Sequence, residues 1–164
     1  MKFNRVIQDA FSTAEAARLS NLTPRQLDHW ARLGFLCPSI RAASGYGSSR
    51  RYSFPDVVKL RMAARLRASG VGLARIRSCV AAMRRLDSSG EADLGQARLL
   101  VIGNRVLWAR SDREVVDLLK EGQLVLVFSI GETVEETAGA IARWNREAER
   151  WNSAPRAARR ARRS

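Results

Sequence analysis

Residues 12–36 read STAEAARLSNLTPRQLDHWARLGFL, and the fold is decided in this stretch. Ser12-Thr13-Ala14-Glu15 has capping-box spacing: Ser12 accepts from a first-turn amide and Glu15 reaches back to the cap. A short helix follows, with Ala14, Ala17 and Leu19 apolar, and ends near Ser20-Asn21. Thr23-Pro24 restarts the chain with a cap residue and a proline at the first helical position. The second helix runs to Leu33, where Gly34 supplies the stop. Two short helices joined by a tight turn make a helix-turn-helix.

On a wheel of ~100° per residue, Leu27, Trp30 and Ala31 of the second helix gather on a packing side. Arg25, His29 and Arg32 gather opposite, with Asp28 beside them and Gln26 on the flank. That outward set occupies the part of the motif that meets base edges. Arginine pairs with guanine and glutamine with adenine, and Asp28 has Arg25 behind it and Arg32 ahead as ion-pair partners. By itself the helix fits a solvated face with an i,i+4 salt bridge equally well.

Outward from the helix pair, Phe35-Leu36 predict a strand. A loop rich in Ser, Gly and Arg follows, and Arg50-Arg51-Tyr52 return as a second strand, which completes a wing. Arg41, Tyr46, Arg50 and Arg51 stand among Ser44, Gly45, Gly47, Ser48 and Ser49. Small residues let a backbone approach phosphates, and the arginines and tyrosine supply charge and donors. Ser53 and Asp56 start a third helix around Pro55, with Val57, Leu60 and Ala64 on one face and Gly70 as the stop. A fourth helix repeats Leu73, Ile76, Val80 and Met83, and Asp87-Ser88-Ser89-Gly90 has linker composition.

Charge agrees with this division. Residues 1–90 carry 16 Lys+Arg against 5 Asp+Glu, and residues 91–153 carry 8 against 11. Residues 154–164 carry 5 Arg and no acid, and the whole chain is at +13. A basic front asks for a polyanion. With 46% hydrophobic and 27% charged residues the chain reads as globular. No apolar run approaches the ~20 residues that span a bilayer, and the start has no secretory core, so the expectation is a cytoplasmic, nucleoid-associated protein with no membrane partner. Cys37, Cys79 and His29 make a poor metal set, and no cofactor is expected. Cys79 on the fourth helix reads as a small core residue.

Taken together, STAEAARLSNLTPRQLDHWARLGFL, the wing PSIRAASGYGSSRRYSFPDVVKLRMAARL and ASGVGLARIRSCV resemble the DNA-binding domain of MerR-family regulators. Arg25 after the turn, Trp30 ahead of Leu33-Gly34-Phe35, and Arg51-Tyr52-Ser53 at the wing exit carry the resemblance. It implies a homodimer on an inverted repeat of double-stranded DNA near promoter elements, with RNA polymerase as a further partner. The DNA-facing set is then Thr23, Arg25, Gln26, His29, Trp30 and Arg32 on the recognition helix, although the wheel turns Trp30 inward. Ser12, Thr13 and Arg18 join from the first helix, and Arg41, Tyr46, Ser48, Ser49, Arg50, Arg51 and Tyr52 from the wing. The chain departs from the family at Asp28 and His29, where many members have a basic residue and an aromatic, so base preference does not carry over. The helix after Leu73 is also short for the family's usual dimer, and Cys37 and Cys79 do not reproduce the cysteines of metal-sensing members.

The second half reads as a ββαβα unit, giving an α+β chain. Ala97–Ile102 and Arg105–Ala109 flank the hairpin signal Gly103-Asn104. Ser111-Asp112 caps a helix to Gly122, residues 124–130 form a buried strand, and a last helix begins at Glu132 or Thr133 and reaches about Trp151. Leu118–Gln123, LLKEGQ, resembles a segment of the short C-terminal domain in a subset of the same family. Thr137, Ile141, Trp144, Ala148 and Trp151 follow a 4,3,4,3 spacing, which suits a dimer seam or packing on the unit's own sheet. Trp108, Trp144 and Trp151 also suit the wall of an apolar pocket, though aromatics at helical spacing are more often core. The expected organisation is a DNA-binding domain at 11–86, a linker at 87–95, an effector or dimerisation domain at 96–151, and a basic disordered tail at 152–164. A small-molecule or protein effector belongs to the third segment. No nucleophile–base pair, phosphate loop or metal set points to an enzyme. The competing readings are an architectural or excisionase-like DNA binder without an effector, and a protein-interaction adaptor.

Overall fold

The structure is a computed structural model that describes residues 10–42, 49–89, 97–102, 105–109, 115 and 125–153. Several expectations lie outside the described residues: Tyr46 and Ser48 of the wing, the linker from Gly90, the hairpin turn, the tail from residue 154, and the helix of 111–122 apart from Val115, which is helical. The elements are β1 (Phe11–Ser12), α1 (Thr13–Ser20), α2 (Pro24–Arg32), β2 (Arg51–Tyr52), α3 (Phe54–Ala68), α4 (Leu73–Ser89), β3 (Arg98–Ile102), β4 (Arg105–Ala109), β5 (Val125–Ser129) and α5 (Ile130–Ser153). The fold is α+β.

The first three helices begin alike. Ser12 with Glu15, Thr23 with Gln26, and Ser53 with Asp56 each form a complete capping box. The side chain at the cap accepts a first-turn amide that no helical carbonyl can reach. Asn21 closes α1 in the left-handed region at φ 56°, and the Leu22 amide donates back to the Ala17 carbonyl at 2.9 Å. This sharp reversal points α2 across α1. Gly34 at φ 66° does the same for the end of α2.

Three expectations need correction here. Phe35-Leu36 form no strand: their amides donate to the Trp30 carbonyl at 3.0 and 3.4 Å, and both side chains are buried. Among the described residues the outgoing side of the wing contributes one bridge, Arg41 with Arg51, while β2 pairs with the two residues of β1, Phe11 opposite Tyr52 and Ser12 opposite Arg51. Second, α4 runs to Ser89, three residues into the stretch whose composition suggests a linker. Serine and aspartate cost a helix less than ~0.7 kcal/mol each, little enough for helix to persist through Asp87-Ser88-Ser89. Third, α5 starts at Ile130, ahead of Glu132, and ends at Ser153.

The sheet has order β4-β3-β5, antiparallel throughout. Among the described residues the strand expected to be buried, β5, lies at an edge with Val127 42% exposed, and the central strand is β3. Period-two alternation divides the sheet between two cores. Leu99 and Val101 of β3 and the partly buried Trp108 of β4 join a cluster that also contains Leu27, Trp30, Leu60, Met62, Leu66, Ile76, Cys79 and Ile141. Leu100, Ala109 and Val115 form a smaller cluster on the opposite face. One apolar core therefore runs from the helix-turn-helix into the sheet and α5.

Arginines of the first half fasten α5 at the edges of that core. Arg65 donates to Thr133 Oγ1 at 3.0 Å, and Arg61 and Arg65 reach Glu136 at 3.5 and 3.4 Å. Arg61 also donates to the Leu19 carbonyl at 2.8 Å, joining the end of α1 to α5. Among the described residues, no helix is long and apolar enough to cross a membrane.

Candidate nucleic-acid interface

Helix α2 presents two faces set by its sequence. Leu27 and Trp30 are buried, Trp30 meeting Phe35 edge-on at 5.1 Å between ring centroids. Arg25, Gln26, His29 and Arg32 are exposed on the opposite side, with Thr23 at the cap. Trp30 is therefore a packing residue, at 4% exposure, and is withdrawn from the set that reads bases. Gln26 is partly committed: its Oε1 accepts from the Thr23 amide at 2.8 Å and from Thr23 Oγ1 at 3.0 Å. Among the described residues its side-chain bonds are made through that oxygen.

Asp28 settles its partners differently from the two considered in the sequence. One carboxylate oxygen takes Arg32 at 2.6 Å, as the i,i+4 spacing suggests. The other takes Arg50 of the wing, also at 2.6 Å, and Arg25 is left outside the pair. The Arg50 guanidinium holds the Asp28 carboxyl below the usual carboxylate range, against a smaller opposing effect of burial, and Arg32 adds to the lowering. The wing is thereby joined to the recognition helix by a bond that spans 22 positions.

The wing base is held by further polar contacts. Arg41 donates to the Ser49 carbonyl at 3.0 Å and to its hydroxyl at 2.8 Å. Ser39 donates from its amide and its hydroxyl to Asp56 Oδ2, both at 2.7 Å, and Asp56 also accepts the Ser53 amide at 2.9 Å. The capping residue of α3 thus also anchors the start of the wing. Sequence reading missed Ser39 and Asp56 in that role, because the contact links residues 17 apart and only the capping box is legible locally. Arg51 remains half-buried beside the exposed Ser49. Tyr52 is a correction: it is 1% exposed, and its ring belongs to the core. Its hydroxyl is buried, and burial pushes its pKa up, so it does not present a donor to the surface.

The first helix divides. Ser12 is the cap of α1, and both its amide and hydroxyl donate to Glu15 at 2.8 Å. Thr13 follows at partial exposure. Arg18 lies over the Trp144 ring, 4.3 Å from its centroid, and pairs with Glu147 at 3.5 Å. Both of these partners belong to α5. The seam divides as well: Thr137 and Ile141 are buried within the chain, Trp144 stacks on Arg18, and Ala148 and Trp151 stay exposed. Cys79 is fully buried, with its thiol pushed up to about 11 by desolvation, while Cys37 is exposed.

The comparison with known families finds a helix-turn-helix protein family over this region. Residues 11–82 match the MerR HTH family regulatory protein. The chain carries a MerR-family helix-turn-helix domain. In this MerR-type domain Asp28 brings Arg32 and Arg50 together, Arg25 is exposed on the same helix, and Arg41 bridges to Arg51 in the wing. The chain is also 39% identical over 132 residues to proteins named uncharacterized HTH-type transcriptional regulators, from Mycobacterium bovis and two strains of Mycobacterium tuberculosis. The matched region is 80% of this chain and 57% of each relative, so the chain spans little more than half their length. A match of 132 residues cannot fit within the MerR-type domain, so the similarity continues into the α/β half.

Proposed function

We propose that the protein is a sequence-specific DNA-binding transcription regulator that sets α2 in the major groove and lays the wing on flanking phosphates. The observation that carries this reading is the exposed row Arg25, Gln26, His29 and Arg32, on a helix whose other face is locked into the core, with the basic wing bonded to the same helix. A rigid helix with outward donors reads base edges. Arginines on a loop beside it supply charge that any sequence satisfies. The relatives' names, HTH-type transcriptional regulators, agree with this assignment.

The regulator acts as a homodimer on an inverted repeat, and the half from residue 96 modulates it in response to an effector. Since Thr137 and Ile141 serve the protomer's own core, a seam between copies on α5 is confined to Trp144, Ala148 and Trp151. That is about one heptad, too little for a coiled coil to hold a dimer without further contacts. The test is fluorescence anisotropy on a duplex selected by the protein from random-sequence DNA, against a shuffled duplex, over a salt series. Preference by roughly 10³ or more supports specific regulation. Equal and steeply salt-dependent binding to both duplexes overturns it in favour of an architectural DNA binder.

A further inference from the structure

A carboxylate on a face that meets phosphates works against binding, and Asp28 is such a carboxylate. It stands on the exposed side of α2 with two-thirds of its side chain covered, and each of its oxygens holds a different arginine at 2.6 Å. Arg32 belongs to the same helix and is 74% exposed, whereas Arg50 comes from the wing and is drawn in to 19% exposure. Among the described residues from Ser39 to Tyr52, the wing's other attachments lead elsewhere: β2 pairs with β1, Arg41 closes on Arg51 and Ser49, and Ser39 bonds to Asp56 of α3. The bonds that do reach α2 come from the segment before the wing, where the Phe35 and Leu36 amides donate to the Trp30 carbonyl and the Cys37 thiol to the Ala31 carbonyl, at the far end of α2 from its cap. Asp28 is thus placed to fix the angle between the element that reads bases and the element that grips phosphates, and in doing so it engages two cations otherwise available to DNA.

We infer that Asp28 is a positioning residue for specificity: it holds the wing in register with the recognition helix through Arg50, and restrains Arg32 and Arg50 from binding phosphates indiscriminately. The inference rests on the DNA-binding reading and adds a sign to it. Removing this carboxylate strengthens binding to the wrong DNA and weakens the choice between right and wrong.

The experiment uses the full chain with the duplex it selects from random-sequence DNA and a shuffled duplex, over a potassium chloride series. Wild type, Asp28→Asn, Asp28→Glu, Arg50→Gln and the Asp28→Asn/Arg50→Gln pair are compared, each after a thermal melt has established that it folds. Asp28→Asn is expected to bind the shuffled duplex several-fold more tightly, with a salt slope steeper by about one unit from the freed cation. Its preference for the selected duplex is expected to fall roughly tenfold, the scale of one well-formed base contact. Asp28→Glu keeps most of the preference. In the Arg50→Gln background the same Asp28→Asn change has little further effect on preference, because its route through Arg50 is already gone. A preference within twofold of wild type for Asp28→Asn, or equal weakening on both duplexes, overturns the inference while leaving the DNA-binding reading intact. A wild type that enriches no sequence and binds neither duplex removes both.

Discussion

Arg25 stands on the first turn of α2 outside the Asp28 ion pairs that occupy Arg32 and Arg50. If the proposed binding mode holds, Arg25 is the arginine of this face free to meet a base without first breaking an ion pair to Asp28. Arg25→Ala is expected to lower the preference for the selected duplex by roughly tenfold or more, whereas Arg51→Ala should weaken all duplexes about equally and reduce the salt slope by about one unit. Binding isotherms at several salt concentrations separate the two outcomes. The Asp28 bond makes its own prediction in the absence of DNA. Its carboxyl titrates below the ordinary value of 3.8 in the folded chain, so its contribution is complete at neutral pH and is lost as the pH falls through the folded value. A carbon-13 NMR titration of the side chain should place its midpoint below 3.8, and Arg50→Gln should move it upward, since Arg50 is the largest cause of the lowering. At this scale the sequence was half legible. The outward set follows from helical angle alone, but Trp30 and Tyr52 were drawn into the DNA-facing set by motif position, and burial removes them.

The elements were most legible where local chemistry writes them. The capping box at Ser12, the caps at Thr23 and Ser53, the end of α1 near Asn21 and the stop at Gly34 are decided within four or five residues, and each stands where spacing places it; the boxes completed by Gln26 and Asp56 and the left-handed Asn21 are added by the structure. The Ser53 cap carries more than its helix, because Asp56 also receives Ser39 from the wing. Ser53→Ala is expected to lower stability by about 1 kcal/mol, the usual loss for a cap, and to loosen the wing. Urea denaturation gives the first effect, and hydrogen exchange at the Ser39 amide gives the second, since that amide is protected by Asp56. The β1–β2 pair was not legible: two residues per strand offer no periodicity, and the partner lies about 40 positions away. The end of α4 was misread for a different reason, because polar composition resembles a linker even where helical propensity still suffices.

At the scale of the molecule, the deciding contact is between α5 and the helix-turn-helix. The 4,3 spacing of Thr137, Ile141 and Trp144 announces an apolar stripe but does not say what covers it, since a second copy and the chain's own core demand the same pattern. The structure assigns the first turns to the core and leaves Ala148 and Trp151 outside. Ile141→Ala is expected to cost about 2–5 kcal/mol, as for other buried aliphatic truncations. It should lower one thermal transition common to both halves, since Ile141 shares a cluster with Leu27 and Leu60 as well as with Leu99. Calorimetry showing two separate transitions, with only one of them shifted, would contradict this. Sequence divided the chain at its change of charge and composition, and that change marks a shift in surface chemistry which the interior does not follow.

The same continuity bears on how such a reading head could be exchanged between regulators. Cut after Ser89, the helix-turn-helix would keep its caps, its recognition face and its Asp28 tether, yet lose the cover that Leu99, Val101, Ile130 and Ile141 give its apolar interior. The arginines that now grip Glu136 and Glu147 would face water alone on a bared greasy surface. A graft that transplants DNA choice from this chain to another therefore has to carry β3 and α5 with it, and the portable piece is closer to the whole chain than to its first half.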